Sequence, residues 1–241
     1  MCYLQVPLCR AWLCLHLGHR QECITTCKHL QAIAADPSVN DTHVLVETKM
    51  LQASALAQEG EPEQAIALLT KAQEQCEQES HFDIGARCRN AATLASVYQR
   101  LAMHREACKY YTLAAQLLRA DCDTRGLAQV QQHAYLHNMY FADIRMLCAL
   151  HAAQCRAMMQ ADASKELQLA TLGDASRLAQ KFWPQVHPHV YATLFSLRGY
   201  VGASKEDLLR AARVEILDGW HDRELLKFCF FSIAKQHFAG M

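Results

Sequence analysis

Apolar residues recur along most of the chain at intervals of three and four, the spacing that places them on one face of a helix. In HREACKYYTLAAQLLR (residues 104–119), that face carries the small residues Ala107 and Ala114 on either side of the bulky Tyr111. Small residues at such positions let another helix approach closely. Only nine glycines and five prolines interrupt the pattern, so it predicts an all-α protein.

The same arrangement recurs every 42 residues. Counting back from Ala107 leads to Ala65 and then to Cys23, and the last two each lie five residues after a glycine, Gly60 or Gly18. The aligned columns are Cys23, Cys27 and Leu30; Ala65, Leu69 and Ala72; and Ala107, Tyr111 and Ala114. This period predicts antiparallel helix pairs in which the first helix ends near residues 18, 60 and 102.

One further step of 42 residues reaches Ala149, Ala153 and Arg156. The preceding helix is expected to carry Tyr140, in the column of Tyr98, Leu56 and Cys14. Four repeats are therefore predicted, a degenerate one last, at 4–37, 46–79, 88–121 and 130–160.

Residues 161–241 show helical periodicity without this register. Ser164 or Asp162 is expected to cap one helix, which ends near Pro184. A capping box, Ser204-x-x-Asp207, is expected to begin another. About two further helix pairs would continue or cap the stack, which gives five to six pairs in all.

The repeat resembles the tetratricopeptide repeat, whose pattern the chain matches most fully at Leu94, Ala95, Tyr98, Ala107, Tyr111 and Ala114. The resemblance covers the first 160 residues. A 42-residue spacing is longer than the usual unit of about 34 and is similar to kinesin light chains, LGN/Pins polarity adaptors and tetratricopeptide-like subunits of cell-cycle assemblies. The resemblance implies an α-solenoid of stacked antiparallel helix pairs.

The resemblance also implies that the first helices line a concave partner-binding surface. The inward columns would be Gln5, Trp12, Glu47, Ser54, Gln58, Arg89, Ser96, Gln99, Arg100, Gln131 and Asn138. The set is polar and mixed in charge, and it lacks the Lys, Arg and Asn cluster with which some members hold a chaperone's terminal carboxylate. We therefore expect a non-enzymatic scaffold or adaptor that binds a peptide or helix of another protein.

A second interpretation is an obligate structural subunit of a larger complex, such as cell-cycle, chromosome-associated or transport machinery. Its basis is apolar side chains near both ends of the sequence: Val6, Leu8, Trp12, Leu13 and Leu15, then Phe228, Phe230, Phe231 and Phe238. For the phenylalanines, burial in the core is the stronger expectation. The first helix holds Arg10 and no basic leader, so we expect a helix of a longer chain rather than a signal peptide.

The charge balance argues against polyanionic partners. Lys and Arg total 24, as do Asp and Glu, so no net positive field favours nucleic acid or an anionic membrane. No apolar run approaches the length of a membrane span. Twelve cysteines without a secretory signal favour free thiols and an intracellular location, cytoplasmic or nuclear.

Metal-binding or enzymatic function is the least favoured interpretation. The chain lacks a phosphate-binding glycine loop, GxSxG and HExxH, so no catalytic residue and no cofactor is expected. Candidate metal ligands are Cys23 and Cys27; His133, His137, Cys148, His151 and Cys155; and the loop-forming HPH at residues 187–189. Chance spacing explains them better than a zinc site, which needs about four converging ligands. No metal is therefore expected.

Overall fold

The computed structural model describes residues 2–78, 84–125, 134–183, 186–217 and 222–239, with side chains at 4–122 and 142–237 within those ranges. These ranges contain eleven α-helices and no strand, which confirms the all-α prediction. The helices are α1 (Cys2–His16), α2 (Arg20–Ala34), α3 (Thr42–Glu59), α4 (Pro62–Gln78), α5 (Ile84–Arg100), α6 (His104–Arg125), α7 (Ala134–Gln160), α8 (Lys165–Lys181), α9 (Pro188–Gly202), α10 (Lys205–Leu217) and α11 (Arg223–Ala239).

Two compact units, 1–117 and 118–241, divide the chain within α6. In the first unit each helix from α1 to α4 packs on the next, and α3 also packs on α1 and α5. In the second unit each helix from α7 to α10 packs on the next, and α9 also packs on α7 and α11. Each unit is thus a stack of helical hairpins. The predicted boundary at residue 160, where the 42-residue register was expected to end, stays a prediction.

Each hairpin turn contains one residue in the left-handed region. Gly18, Gly60 and Ala102 have φ of 80°, 89° and 57°, at the three positions that the 42-residue period predicts. In the second unit, Asp162 and Ala203 have φ of 52° and 54° and lie 203 − 162 = 41 residues apart. The turns between paired helices therefore recur at nearly the same spacing in both units.

The prediction of two helices over 130–160 is wrong. Tyr140 and Ala149 lie in one continuous helix, α7. The position 42 residues after Ala102 is Ile144, which is buried within that helix. A β-branched side chain strongly disfavours the left-handed conformation that a turn requires, so the helix continues and the chain turns at Asp162 instead.

The small positions of the second helices are fully buried, as their alternation predicts. Ala65, Ala107 and Ala114 are inaccessible to solvent. The Cys88 thiol of α5 lies 3.3 Å from the carbonyl oxygen of Ala114, to which it donates. Tyr111 is buried and its hydroxyl donates to Gln99 Oε1 at 3.0 Å. The small side chains thus let α5 and α6 meet closely.

In the second unit the small residue lies on the first helix instead. Gly199, four residues before its turn, corresponds to Tyr98, and Leu208, five residues after it, corresponds to Ala107. A Cβ atom at Gly199 would lie 2.7 Å from Leu208 Cγ, which is far inside van der Waals contact. Close approach of α9 and α10 is preserved although large and small residues have exchanged sides.

Two predicted helix caps can be compared with the structure. Ser164 caps α8, because its hydroxyl accepts a hydrogen bond from the Leu167 amide at 3.3 Å. Ser204 likewise accepts from the Asp207 amide at 3.3 Å. The reciprocal half of the predicted capping box is wrong, because the Asp207 carboxylate binds the Arg198 guanidinium at 2.8 and 2.5 Å. That charge-assisted pair outweighs a bond to one backbone amide.

Ala65→Phe should lower the free energy of unfolding by about 1 to 3 kcal/mol, because a ring must enter a space sized for a methyl group. Urea denaturation measures the change. Ala67→Phe is the control, since Ala67 lies on the exposed face of the same helix. Equal stability of the two variants would contradict the close packing of α4.

Gly60→Ala and Gly173→Ala should change stability in opposite directions. A Cβ atom meets nothing within 4 Å at either position, but only Gly60 has a positive φ, 89°. Alanine at Gly60 should therefore cost about 1 kcal/mol, whereas alanine in the helical setting of Gly173 should add about 0.5 to 1 kcal/mol. Thermal unfolding of the two variants checks both signs.

Candidate partner-binding groove

A cavity of about 590 Å³ opens in the first unit between the ends of α1 and α3, the start of α2, and α5. We call it the α1–α5 groove. Four residues that the resemblance placed on the inward surface line it: Ser54, Gln58, Ser96 and Arg100. The helical stack therefore brings these four, from two different repeats, to one place.

Three other predicted residues have partners within the chain. Glu47 and Arg89 form an ion pair with each other across α3 and α5. Gln99 accepts the hydrogen bond from Tyr111, so its amide belongs to the packing of α5 on α6. Neither Arg89 nor Gln99 lines the groove.

Of the remaining predicted residues, Gln5 and Trp12 do not line the groove. Gln5 is exposed on α1. The Trp12 ring packs on the His16 ring with centroids 3.9 Å apart, and it is His16 that lines the groove. Gln131 lies outside the described residues, as does the side chain of Asn138.

Arg20, at the start of α2, is a groove residue that the sequence reasoning missed. Its Nε donates to Gln58 Oε1 at 3.2 Å and its Nη1 lies 3.4 Å from Glu59 Oε1. The prediction considered only first helices, whereas the start of a second helix also reaches the groove edge beside the turn. Arg20 lies two residues after the turn residue Gly18, and this position in the sequence could have identified it as a groove residue.

Most hydroxyl groups in the groove are hydrogen-bonded to their own helix. Ser54 Oγ donates to the Met50 carbonyl at 2.9 Å, and Thr93 Oγ1 donates to the Arg89 carbonyl at 2.8 Å. Among the residues that the structure describes, the side chain of Arg100 forms no ion pair or hydrogen bond. The groove thus presents one uncompensated guanidinium beside polar walls.

The candidate metal ligands are placed as follows. Cys23 and Cys27 are buried and share a hydrogen bond, which lowers the pKa of Cys23 and raises that of Cys27. Burial raises the pKa of the Cys148 thiol to about 12. No group of three or more potential ligands converges among the described residues. The side chains of His133 and His137 lie outside them.

His151 already has two polar neighbours. Its Nε2 lies 3.4 Å from Arg119 Nη2, and its Nδ1 lies 3.1 Å from Gln154 Oε1. Burial lowers the pKa of the imidazole, because a charged ring is costly away from water.

The HPH segment begins a helix and does not form a loop. His187 caps α9, with Nδ1 accepting from the His189 amide at 3.3 Å, and Pro188 is the first helical residue. His189 also lies close to two carboxylates, because its Nδ1 is 3.0 Å from Glu215 Oε1 and 3.8 Å from Asp222 Oδ2. Both acids are distant in sequence, so local inspection could not find them.

Apolar side chains remain exposed on the first and last helices. Val6 on α1 is 75% exposed, and on α11 Phe230 and Phe231 are 51% and 72% exposed. Core burial is therefore wrong for these two phenylalanines, although the Phe228 ring packs against Tyr200 with centroids 5.3 Å apart. Phe238 lies outside the described side chains. Within the described ranges, no helix is both long and apolar enough to cross a membrane.

Solved structures show which fold this is. A kinesin light chain with TPR-like repeats from Podospora anserina, described as putative, superposes with a TM-score of 0.59 at 16% identity, over 88% of this chain and 94% of that one. The apo form of RapI superposes with a TM-score of 0.57 at 13% identity, over 98% of this chain and 82% of that one. No protein-family model and no curated protein matches the sequence.

The chain therefore has the TPR-like helical-repeat fold, an α-solenoid of helix pairs, as the resemblance implied. Identities of this size relate folds only, so the functional conclusion depends on the chain's own residues.

Among the cysteines whose side chains the structure describes, Cys9 should react first when the native protein is alkylated with iodoacetamide near neutral pH. It is the exposed thiol among those described, whereas burial raises the pKa of Cys148 to about 12 and of Cys229 to about 11. Since only the thiolate reacts, these two should be labelled much later than Cys9. Peptide mass spectrometry gives the order, and labelling of Cys148 before Cys9 would contradict the buried environment.

Proposed function

We propose that this chain is a non-enzymatic scaffold that binds a segment of another protein in the α1–α5 groove. The observation that carries the proposal is Arg100, a guanidinium without a partner among the described residues, in a polar groove of about 590 Å³. Clefts of this size accommodate several side chains. Helical-repeat proteins commonly use such surfaces to hold partners.

The charge of the groove favours a segment with an acidic side chain. Arg20 is already paired with Glu59, so Arg100 is the cation left to form a charge-assisted hydrogen bond. A single such cation suits one carboxylate within a longer segment better than the concentrated charge of a chain terminus. A terminal-carboxylate ligand is therefore disfavoured.

The absence of catalysis is part of the proposal. The hydroxyls of Ser54 and Thr93 donate to carbonyls of their own helices. A catalytic hydroxyl instead needs a base within hydrogen-bonding distance. The groove is thus organised for binding.

An obligate structural subunit is the second candidate function. Its supporting observation is the exposure of Val6 and Leu13 on α1 and of Phe230 and Phe231 on α11. Large apolar side chains grouped on one helix face commonly mark contact surfaces. In that case the partner would cover these helices instead of the groove.

Arg100→Glu should weaken capture of specific partners about tenfold, because it replaces the uncompensated cation with an anion that repels the acidic segment. Affinity purification with quantitative mass spectrometry compares the variant with the unmodified chain. Lys71→Glu is the matched control: it makes the same change in charge on the exposed face of a second helix, α4. Circular dichroism should show equal folding of both variants.

The salt dependence of association provides a second measurement with any partner recovered. Arg100→Glu should reduce the association rate more at low salt than at high salt, because ions screen long-range attraction. If Lys71→Glu loses the partners and Arg100→Glu keeps them, the groove is not the binding site and the subunit interpretation replaces it.

A further inference from the structure

The second unit contains its own cavity, of about 400 Å³, which none of the residues predicted as site residues lines. It lies between the ends of α7 and α9, the start of α8, and α11, and we call it the α7–α11 pocket. The end of one first helix, the start of its second helix and the end of the next first helix also enclose the α1–α5 groove. Both units therefore repeat one local arrangement.

Corresponding positions in the two cavities carry different chemistry. Lys165 is the first residue of α8, as Arg20 is the first residue of α2, although Lys165 lies three residues after its turn residue Asp162 and Arg20 lies two after Gly18. In the first unit, Arg20 donates a hydrogen bond to Gln58 and forms an ion pair with Glu59, the residues two and one before the turn at Gly60.

In the second unit, the residues one and two positions before the turn are Gly202 and Val201. The carboxylate that would pair with Lys165 is therefore replaced by a hydrogen atom, and the amide by an apolar side chain. Lys165 forms no ion pair within the described part of the chain. The second unit thus has the cation without an internal counter-charge among the described residues.

A second lysine and several apolar side chains complete the pocket. Lys235 of α11 lines it and is likewise without an ion-pair partner in the described ranges. Met159, Tyr200 and Val201 form an apolar part of its wall. The pocket thus combines an apolar interior with two positive charges, which complements a large apolar group beside negative charge.

Hydrogen-bonding groups in the wall favour a protein segment over a fatty acid. Gln168 Nε2 donates to the Ala163 carbonyl at 2.8 Å, and Gln236 Nε2 donates to the Gly199 carbonyl at 3.3 Å. Their side-chain oxygens accept no hydrogen bond from the residues described, and the hydroxyl of Ser232, which lines the pocket, forms none with them either. These acceptors match backbone amides, which an alkyl chain does not have.

We propose that the α7–α11 pocket is a second binding site, which takes a protein segment carrying one large apolar side chain next to acidic residues. The apolar side chain enters the wall of Met159, Tyr200 and Val201, and the acidic residues pair with Lys165 and Lys235. The site is independent of the α1–α5 groove, because it is built wholly from the second unit.

Selection of random dodecapeptides displayed on phage tests the specificity. The unmodified chain is the bait, and a Lys165→Glu/Lys235→Glu variant is used to remove peptides that bind elsewhere. The surviving peptides should share an aromatic residue or leucine flanked by Asp or Glu. A synthetic peptide of that consensus should bind the double variant at least about tenfold more weakly in fluorescence anisotropy. Lys205→Glu/Arg213→Glu, two exposed reversals on α10, should change affinity less than about twofold.

Gly202→Glu provides the sharper test, because it restores the carboxylate that neutralises Arg20 in the first unit. A Cβ atom at Gly202 meets only Leu169 Cδ2, at 3.4 Å, so the fold should tolerate it. Gly202→Glu should weaken the consensus peptide about fivefold to tenfold. Gly202→Gln has the same shape without the charge and should leave binding near the unmodified value.

Three results would overturn the proposal: selected peptides without the acidic and apolar signature, equal binding by the Gly202→Glu and Gly202→Gln variants, or binding of dodecanoate in place of any peptide. Arg100→Glu should leave the consensus peptide's affinity unchanged. Arg100→Glu therefore reports on binding in the α1–α5 groove, and the variants at Lys165, Lys235 and Gly202 report on binding in the α7–α11 pocket.

Discussion

A left-handed residue at each hairpin turn is the constraint on which the rest of the structure depends. Such a turn needs a residue that can adopt a positive φ. Gly18 and Gly60 do so without strain, because glycine has no Cβ atom. Because the turn fixes where the second helix begins, it also fixes which residues face the first helix. Where Ile144 occupies the next position, no turn forms, and the helices that follow resume the spacing from Asp162.

Once the turns set the register, close approach of two paired helices requires a small residue opposite a large one. Either helix of the pair can carry the small residue. Ala107 faces α5 in the first unit, whereas Gly199 provides the space for Leu208 in the second. The physical requirement is complementary volume, because protein interiors pack without voids. A repeat can therefore lose its residue pattern and still keep its geometry.

The same frame relates the two cavities and explains why their ligands should differ. Near the turn at Gly60, Gln58 and Glu59 bind the guanidinium of Arg20. Near the turn at Ala203, the corresponding residues Val201 and Gly202 offer Lys165 no counter-charge. A cation that is already paired contributes little to an outside ligand, whereas an unpaired cation beside apolar walls is available for one. The proposed division of binding between the units follows from these two positions.

The sequence by itself determined the helical class, the 42-residue period of the first unit and its turns at residues 18, 60 and 102, because helical periodicity and turn residues are local properties of the chain. The tertiary structure decided which charges remain available. Arg89 and Glu47 neutralise each other, and the His189–Glu215 contact joins residues 26 positions apart. It also decided that Phe230 and Phe231 face outward. Pairing and burial depend on which helices meet, and no local pattern specifies that.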